Sequence, residues 1–248
     1  MRYLQFAKRN FKEILLDPLS WIFMFVLPIL LFIVLQIMVK AIGDISYTPQ
    51  FEITHLTISM IIFSFSFLTI FSGNMISHDK EEKYLLRLKS TPMKSIDFVL
   101  GYTLCNIPLG FIQEIIIIIV GLCFGLTFRI NLLYLILGLF PISLIFIGFG
   151  ILFGSLLSLK AVGGVSSIIP TACSLLGGMF FPLDNIDGGF KIVCEIFPFY
   201  HAINIGQFIM NEDVNNIILS FIICLIYIVI IYLSAVFIFI VKLHRDLI

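Results

Sequence analysis

Uncharged runs of more than twenty residues follow one another along this chain, and only one densely charged stretch, Ser77 to Lys94, stands between them. The runs are Pro18 to Val39 (22 residues), Leu56 to Ser77 (22), Phe98 to Phe128 (31, interrupted by Glu114), Ile130 to Leu159 (30), Ala161 to Leu183 (23) and Val214 to Val241 (28). A helix rising about 1.5 Å per residue needs roughly 20 residues to cross about 30 Å of hydrocarbon. Each run is long enough, so the expectation is an all-α integral membrane protein with spans at about 18–39, 56–77, 98–124, 131–159, 161–180 and 214–241 in a single domain over 1–248. Membrane-spanning strands would instead read as segments of about ten residues alternating with period two. That pattern is absent, and 60% hydrophobic residues with a mean hydropathy of +1.13 exclude a soluble domain.

The net charge is zero, so nucleic acid is not a partner and any electrostatic argument rests on where charges sit. In residues 1–16, Tyr3, Leu4, Ala7, Phe11, Ile14 and Leu15 fall on one arc of a helical wheel, and Arg2, Lys8, Arg9 and Lys12 on the other. That is the pattern of an amphipathic helix lying in the headgroup layer of an anionic leaflet. No small-residue cleavage site ends the run that follows, so it is expected to stay as a transmembrane helix rather than leave as a signal peptide. With the N-terminus cytoplasmic, twelve of the fifteen Lys and Arg residues lie inside; only Lys40, Arg129 and Lys191 lie outside. The positive-inside rule therefore puts both termini in the cytoplasm.

The charged stretch reads as a short helix over 78–90 outside the bilayer. Asp79 is expected to cap it, with Glu82 at the third position, and Pro92 to end it. Lys80, Lys83 and Arg87 share a face, while Leu85, Leu86 and Leu88 supply apolar contact. Gly148, Gly150, Gly154, Gly163 and Gly164 flank the tight connection around Lys160, and Gly150 with Gly154 would let helices approach closely. Residues 181–210, broken by Pro182, Gly188, Gly189 and Pro198, are too interrupted to span and too apolar for an ordinary loop. They read as an outer re-entrant helical hairpin packed on protein, with Asp184, Asp187 and Glu195 near its tip.

Catalytic chemistry finds little support. No G-x-x-x-x-G-K-[ST] phosphate loop and no H-E-x-x-H occur, and the four histidines fall in different segments. The five cysteines are scattered without metal-ligand spacing and read as packing residues. Glu81 and Glu82 share a paired glutamate with intramembrane prenyl-protein proteases, but Arg87 stands one residue too late and the second histidine-bearing helix is missing. Ser155 has no histidine in any run to serve as its base. Glu114, beside Gln113, lies in the middle of the third run, where a carboxylate is costly. It faces either a translocation path or a neutral, hydrogen-bonded interior, and any partner should be neutral or near a helix end.

Three features together resemble the permease subunits of type 2 ABC exporters of the six-helix drug and antibiotic kind. The segment EEKYLLRLKSTPMKSIDFVLG is similar to the family's stretch between helices two and three, in Glu81, Glu82, Leu85, Arg87, Leu88, Thr91, Pro92 and Gly101. GGMFFPLDNIDGGFKIVCEIFPFYHAI is similar to its outer hairpin, with Phe181 and Pro182 at entry and Pro198 with Tyr200 at exit. The amphipathic start, with Phe6, Arg9 and Phe11, resembles its interface helix. Lys83-Tyr84 stands where many relatives have Arg-Gly. The resemblance implies a bacterial cytoplasmic-membrane protein without its own ATP site or cofactor. ATP and Mg would be held by a separate cytoplasmic ATPase, docked on Glu81 to Leu88 as coupling helix, and a second permease copy or paralogue would complete the transporter. The cargo would be hydrophobic or amphipathic: a drug, a peptide antibiotic or a lipid-like molecule. An intramembrane enzyme, or an immunity or sensor protein that binds without transporting, remain the alternatives.

Overall fold

The computed structural model describes residues 2–42, 49–88, 93–181, 188–212 and 214–245. Helix α1 (Arg2–Leu15) is followed by a first span built from α2 (Pro18–Trp21), a π-helical turn (Ile22–Val26) and α3 (Leu27–Ile42). The second span is α4 (Ile53–Glu81); the short α5 (Tyr84–Leu88) and the third span α6 (Ser95–Phe124) follow. The fourth span is α7 (Asn131–Leu139), a 3-10 turn (Phe140–Ile142) and α8 (Ser143–Leu156), and the fifth is α9 (Leu159–Ser166) with α10 (Ile168–Leu176). Helices α11 (Gly189–Ile196) and α12 (Pro198–Asn211) form a pair bent by 80°, and α13 (Val214–Arg245) is the last span. Among the described residues, six helices are thus long and apolar enough to cross a membrane, as the uncharged runs require.

Helix α4 is the spine. It is the most buried span, although it carries Thr57, Ser59, Ser64, Ser66, Thr69, Ser72 and Ser77, all buried. In hydrocarbon there is little hydrophobic drive between helices, so close backbone approach and side-chain hydrogen bonds hold them together. On α8, a Cβ added at Gly154 would stand 2.6 Å from the Gly73 carbonyl oxygen, and one at Gly150 would stand 2.6 Å from that of Thr69. The pair foreseen as a close-approach motif is therefore the crossing point of α4 and α8. There Thr69 Oγ1 donates to the Phe146 carbonyl at 2.9 Å.

Prolines shape the other spans. Pro28 has no N–H to give the Met24 carbonyl four residues back, and the first span adopts its π turn there. The Gln113 side chain supplies the missing donor, with Nε2 3.0 Å from the Met24 oxygen and 3.1 Å from that of Ser64. Pro141 lies in the 3-10 turn that breaks the fourth span.

Several boundaries differ from the expectation. The second span does not stop at Ser77: helix continues through Glu81, so the first residues of the charged stretch belong to α4. Asp79 accordingly caps nothing, and the separate helix expected over 78–90 is reduced to α5. Buried partners for Asp79, described below, make it cheaper to extend α4 than to begin a new helix. The fifth span ends at Leu176, short of residue 180, and the link before it is Leu157 and Ser158, with Lys160 already inside α9.

Only part of the bent pair is packed on protein as expected: α12 is largely buried, whereas in α11 Cys194 is the one buried residue. At the bend, His201 Nε2 donates to the Glu195 carbonyl at 2.8 Å and Tyr227 Oη to that of Ile196 at 2.6 Å. Pro198 opens α12, and Tyr200 packs edge-on against His201. Pro182, Asp184 and Asp187 lie outside the described residues.

The α4–α8 crossing yields a test. Gly150→Leu should cost about 1–3 kcal/mol through overpacking and lower the melting temperature in detergent. Gly164→Ala, where an added Cβ meets nothing within 4 Å, should leave it unchanged or slightly higher.

Candidate functional site: a charged clamp at the end of the spine

Asp79 is the third-last residue of α4 and is only 2% exposed. A carboxylate taken out of water must be paired and hydrogen-bonded. Arg9 Nη1, from α1, lies 3.0 Å from Oδ1 and 3.3 Å from Oδ2, and Tyr102 Oη, from α6, donates to Oδ2 at 2.6 Å. Arg9 Nη2 also meets Glu13 at 2.9 Å, and Nη1 donates to Asn10 Oδ1 at 2.9 Å. Burial works against the Arg9 charge, but the hydrogen bond and charge of Asp79 outweigh it and hold its pKa above the ordinary value.

The aromatic surroundings extend this clamp to α5. The Arg9 guanidinium lies 4.0 Å from the centre of the Tyr84 ring, a cation–π contact. Phe6 meets Tyr102 edge-on at 4.9 Å and Phe98 at 5.7 Å, and stacks on Tyr84 at 6.4 Å. Its ring packs directly on Gly101, which explains a glycine at that place. Phe239 of α13 stacks on Phe98 from the other side. Tyr84 thus braces α5 on α1.

Lys80, next in sequence, holds α8. Its Nζ donates to the carbonyls of Gly154 at 2.9 Å, Ser155 at 3.0 Å and Leu157 at 2.6 Å. The last carbonyls of a helix have no partner within it, and a cation there also meets the negative end of the helix dipole. Ser77 Oγ, one turn earlier, adds a bond to the Gly154 carbonyl at 3.2 Å.

The residues foreseen in the sequence fall into three groups. Phe6, Arg9, Glu81, Glu82, Leu85 and Arg87 come together at this end of α4. Within that group Leu85 is buried, so Glu81, Glu82 and Arg87 form its exposed surface. Thr91 and Pro92 lie outside the described residues, as do the side chains of Leu86 and Leu88. Gln113 is a cross-link between spans. Glu114 is 0% exposed, and neither carboxylate oxygen has a hydrogen-bond partner among the described residues. It is buried within this chain, without the hydrogen bonds that the interior reading supposed.

On α1 the apolar arc is divided. Phe6, Ala7, Asn10 and Ile14 are buried while Leu4 and Leu15 are exposed, so the face against protein is turned by roughly a fifth of a turn from the apolar arc. Arg9, expected on the outward arc, borders the buried face instead, and Phe11 is half-buried at its other edge. The roles of Asp79, Lys80 and Tyr102 were missed. The available signal was a carboxylate and a lysine placed directly after an uncharged run, on the helix richest in hydroxyl residues.

Among the described residues no group of three or more His, Cys, Asp or Glu side chains could hold a metal. Ser155 Oγ donates to its own helix at the Leu152 carbonyl, 2.7 Å away. What the arrangement does is join helices: α1, α4 and α6 meet at Asp79, α5 joins them through Tyr84 on Arg9, and α8 through Lys80.

Removing one partner of the clamp should therefore be costly. Asp79→Leu should destabilise the protein by about 3 kcal/mol and Tyr102→Phe by about 1 kcal/mol. A double-mutant cycle of Asp79→Leu with Arg9→Met, read by thermal unfolding in detergent, should give a coupling of at least about 1 kcal/mol.

No curated protein and no solved structure matches this chain. The family model described as ABC-2 type transporter matches residues 2–211, from α1 to the end of α12, and thus includes the clamp, α5 and the bent helix pair. With six apolar helices joined in this way, the chain is a multi-pass membrane permease and belongs to the ABC-2 type transporter family.

Proposed function

We propose that this chain is the permease of an ATP-driven exporter whose ATPase is a separate cytoplasmic subunit. The observation that carries the reading is α5 itself, a five-residue helix at the tip of the most buried span, presenting exposed Arg87 beside exposed Glu81 and Glu82. A surface helix joined to the spine by Tyr84, Arg9 and Asp79 is suited to receive a push from a docked partner. Positive charge supports the orientation: twelve of the fifteen Lys and Arg residues share the side of α1 and α5. That side is the cytoplasm of a bacterial cell, and both termini lie there.

In this reading ATP and Mg belong to the ATPase, whose closure shifts α1 and α5 and, through the clamp, the equilibrium between two permease states. A second copy or a paralogue completes the transporter, and the path is framed by the two chains. Gln113 and Glu114, inside the bundle of one chain, then support packing rather than line the path. The cargo is hydrophobic or amphipathic, in keeping with a chain immersed in lipid.

Purification of the tagged chain from its native cell in mild detergent tests this. An ABC ATPase should copurify, and Glu82→Ala with Arg87→Ala, both on exposed residues, should reduce its yield by tenfold or more. Asp79→Asn should keep the ATPase bound while lowering cargo export. Absence of any ATPase from the wild-type preparation would overturn the reading.

A further inference from the structure

The third span, α6, carries three buried polar side chains whose oxygen atoms have no partner among the described residues: Asn106 Oδ1, Gln113 Oε1 and both oxygens of Glu114. The nitrogens of the two amides are used. Asn106 Nδ2 donates to the Tyr102 carbonyl at 2.8 Å, and Gln113 Nε2 to those of Met24 and Ser64. What this stretch lacks is therefore donors alone. Buried polar atoms left unpaired are rare and call for a reason. Packing gives none for the Glu114 carboxyl, since a methionine would fill similar space without the cost of burying it.

No positive charge stands ready to hold a carboxylate there. Helix α6 packs against α1, the first span, α4, the fourth span and α13. Residues 22–39, 56–77 and 140–156 contain no ionisable side chain. Over 217–241, α13 offers Cys224, Tyr227 and Tyr232; they are bonded to the Pro198 carbonyl, the Ile196 carbonyl and Thr103. Lys40, at the end of α3, lies over the Phe124 ring at the far end of α6. The charges of α1 gather at the clamp, where Arg9 is paired with Asp79. Tyr102, which brings α6 to that clamp, is about 18 Å along the helix from Glu114.

The helix is weakened between these two points. Pro108 has no N–H for the Leu104 carbonyl, and a proline inside a helix is a place where it bends. Gly110 follows, pressed on the fourth span so closely that an added Cβ would stand 3.1 Å from Ser143 Cβ. The half of α6 before Pro108 is tied to the clamp; the half beyond it carries Glu114.

We infer that Glu114 is a proton-binding site: it is a neutral acid in this arrangement, and it releases its proton to water when α6 flexes at Pro108 and opens the interior. The proton is the one ligand that gives this stretch a donor without adding an unpaired charge. Low pH therefore favours the arrangement described, and raising the pH favours the flexed one. The inference rests on the permease reading in giving the chain a second state, but proton binding itself requires no ATPase.

Cys123, beyond Glu114 on α6, is exposed while the other four cysteines are buried, so the native chain carries its own labelling position. The full chain in phosphatidylcholine nanodiscs, labelled there with an environment-sensitive fluorophore, is titrated from acid to alkaline pH. Infrared spectra are recorded on the unlabelled protein. At neutral pH the wild type should show the C=O stretch of a neutral carboxylic acid that is missing from Glu114→Gln. Its fluorescence should change reversibly with pH in a step that Glu114→Gln abolishes. Pro108→Ala, which restores the N–H, should keep the infrared band and reduce the step by about fivefold or more. Glu114→Met takes the place of the Gln variant if that fails to fold. An acid band absent from the wild type or persisting in the Glu114 variant would overturn the inference, as would a fluorescence step of equal size in the two. An undiminished step in Pro108→Ala would overturn the hinge. Failure of ATPase capture with band and step intact would count against the permease reading alone.

Discussion

The buried carboxylate of Asp79 is the constraint around which one end of this molecule is arranged. An ion pair taken out of water returns little net stability, because desolvation costs several kcal/mol per ion, but losing one partner costs about 3–5 kcal/mol. Its effect is therefore on register more than on stability. With Asp79 near the last turn of α4, Arg9 must come to it from α1 and Tyr102 from α6. Lys80, next in sequence, brings in the end of α8. Two consecutive residues thereby set the relative positions of four helices.

The middle of the bundle obeys a different rule. Lipid tails are as apolar as leucine, so helices associate through close contact and through polar groups with nowhere else to bond. Glycines on α8 allow α4 to come near, and the hydroxyls of α4 turn to its own carbonyls or to those of α8. The first span shows the same need for satisfied backbone. Pro28 withdraws a donor, the helix loosens into a π turn, and Gln113 from another span makes the bond instead. Gln113 thus joins the first, second and third spans by hydrogen bonds to backbone carbonyls.

These two rules give the molecule stiff and open parts. The route from α5 through Tyr84, Arg9 and Asp79 to α4 consists of charged and aromatic contacts with defined geometry. A cavity between the end of α1, α4 and the start of α9 shares Asp79 with the clamp. A movement of α1 that strained the Arg9 pair would alter that wall of the cavity in the same step.

The number of spans, their approximate limits and the amphipathic start follow from the sequence, because a stretch in hydrocarbon must be long, uncharged and internally hydrogen-bonded whatever it packs against. The close-approach role of Gly150 and Gly154 was also legible, since spacing alone puts both on one face. Other features depended on what lies across the bundle. His78 to Glu81 read as the start of a separate helix capped by Asp79, and only the partners of Asp79 and Lys80 make it the end of α4. Arg9 looked outward on a helical wheel, yet a buried carboxylate 70 residues away bends it inward. Local pattern determines which segments are helices and which enter the membrane; where a charge goes is decided by the partner it finds there, and sequence distance does not reveal that partner.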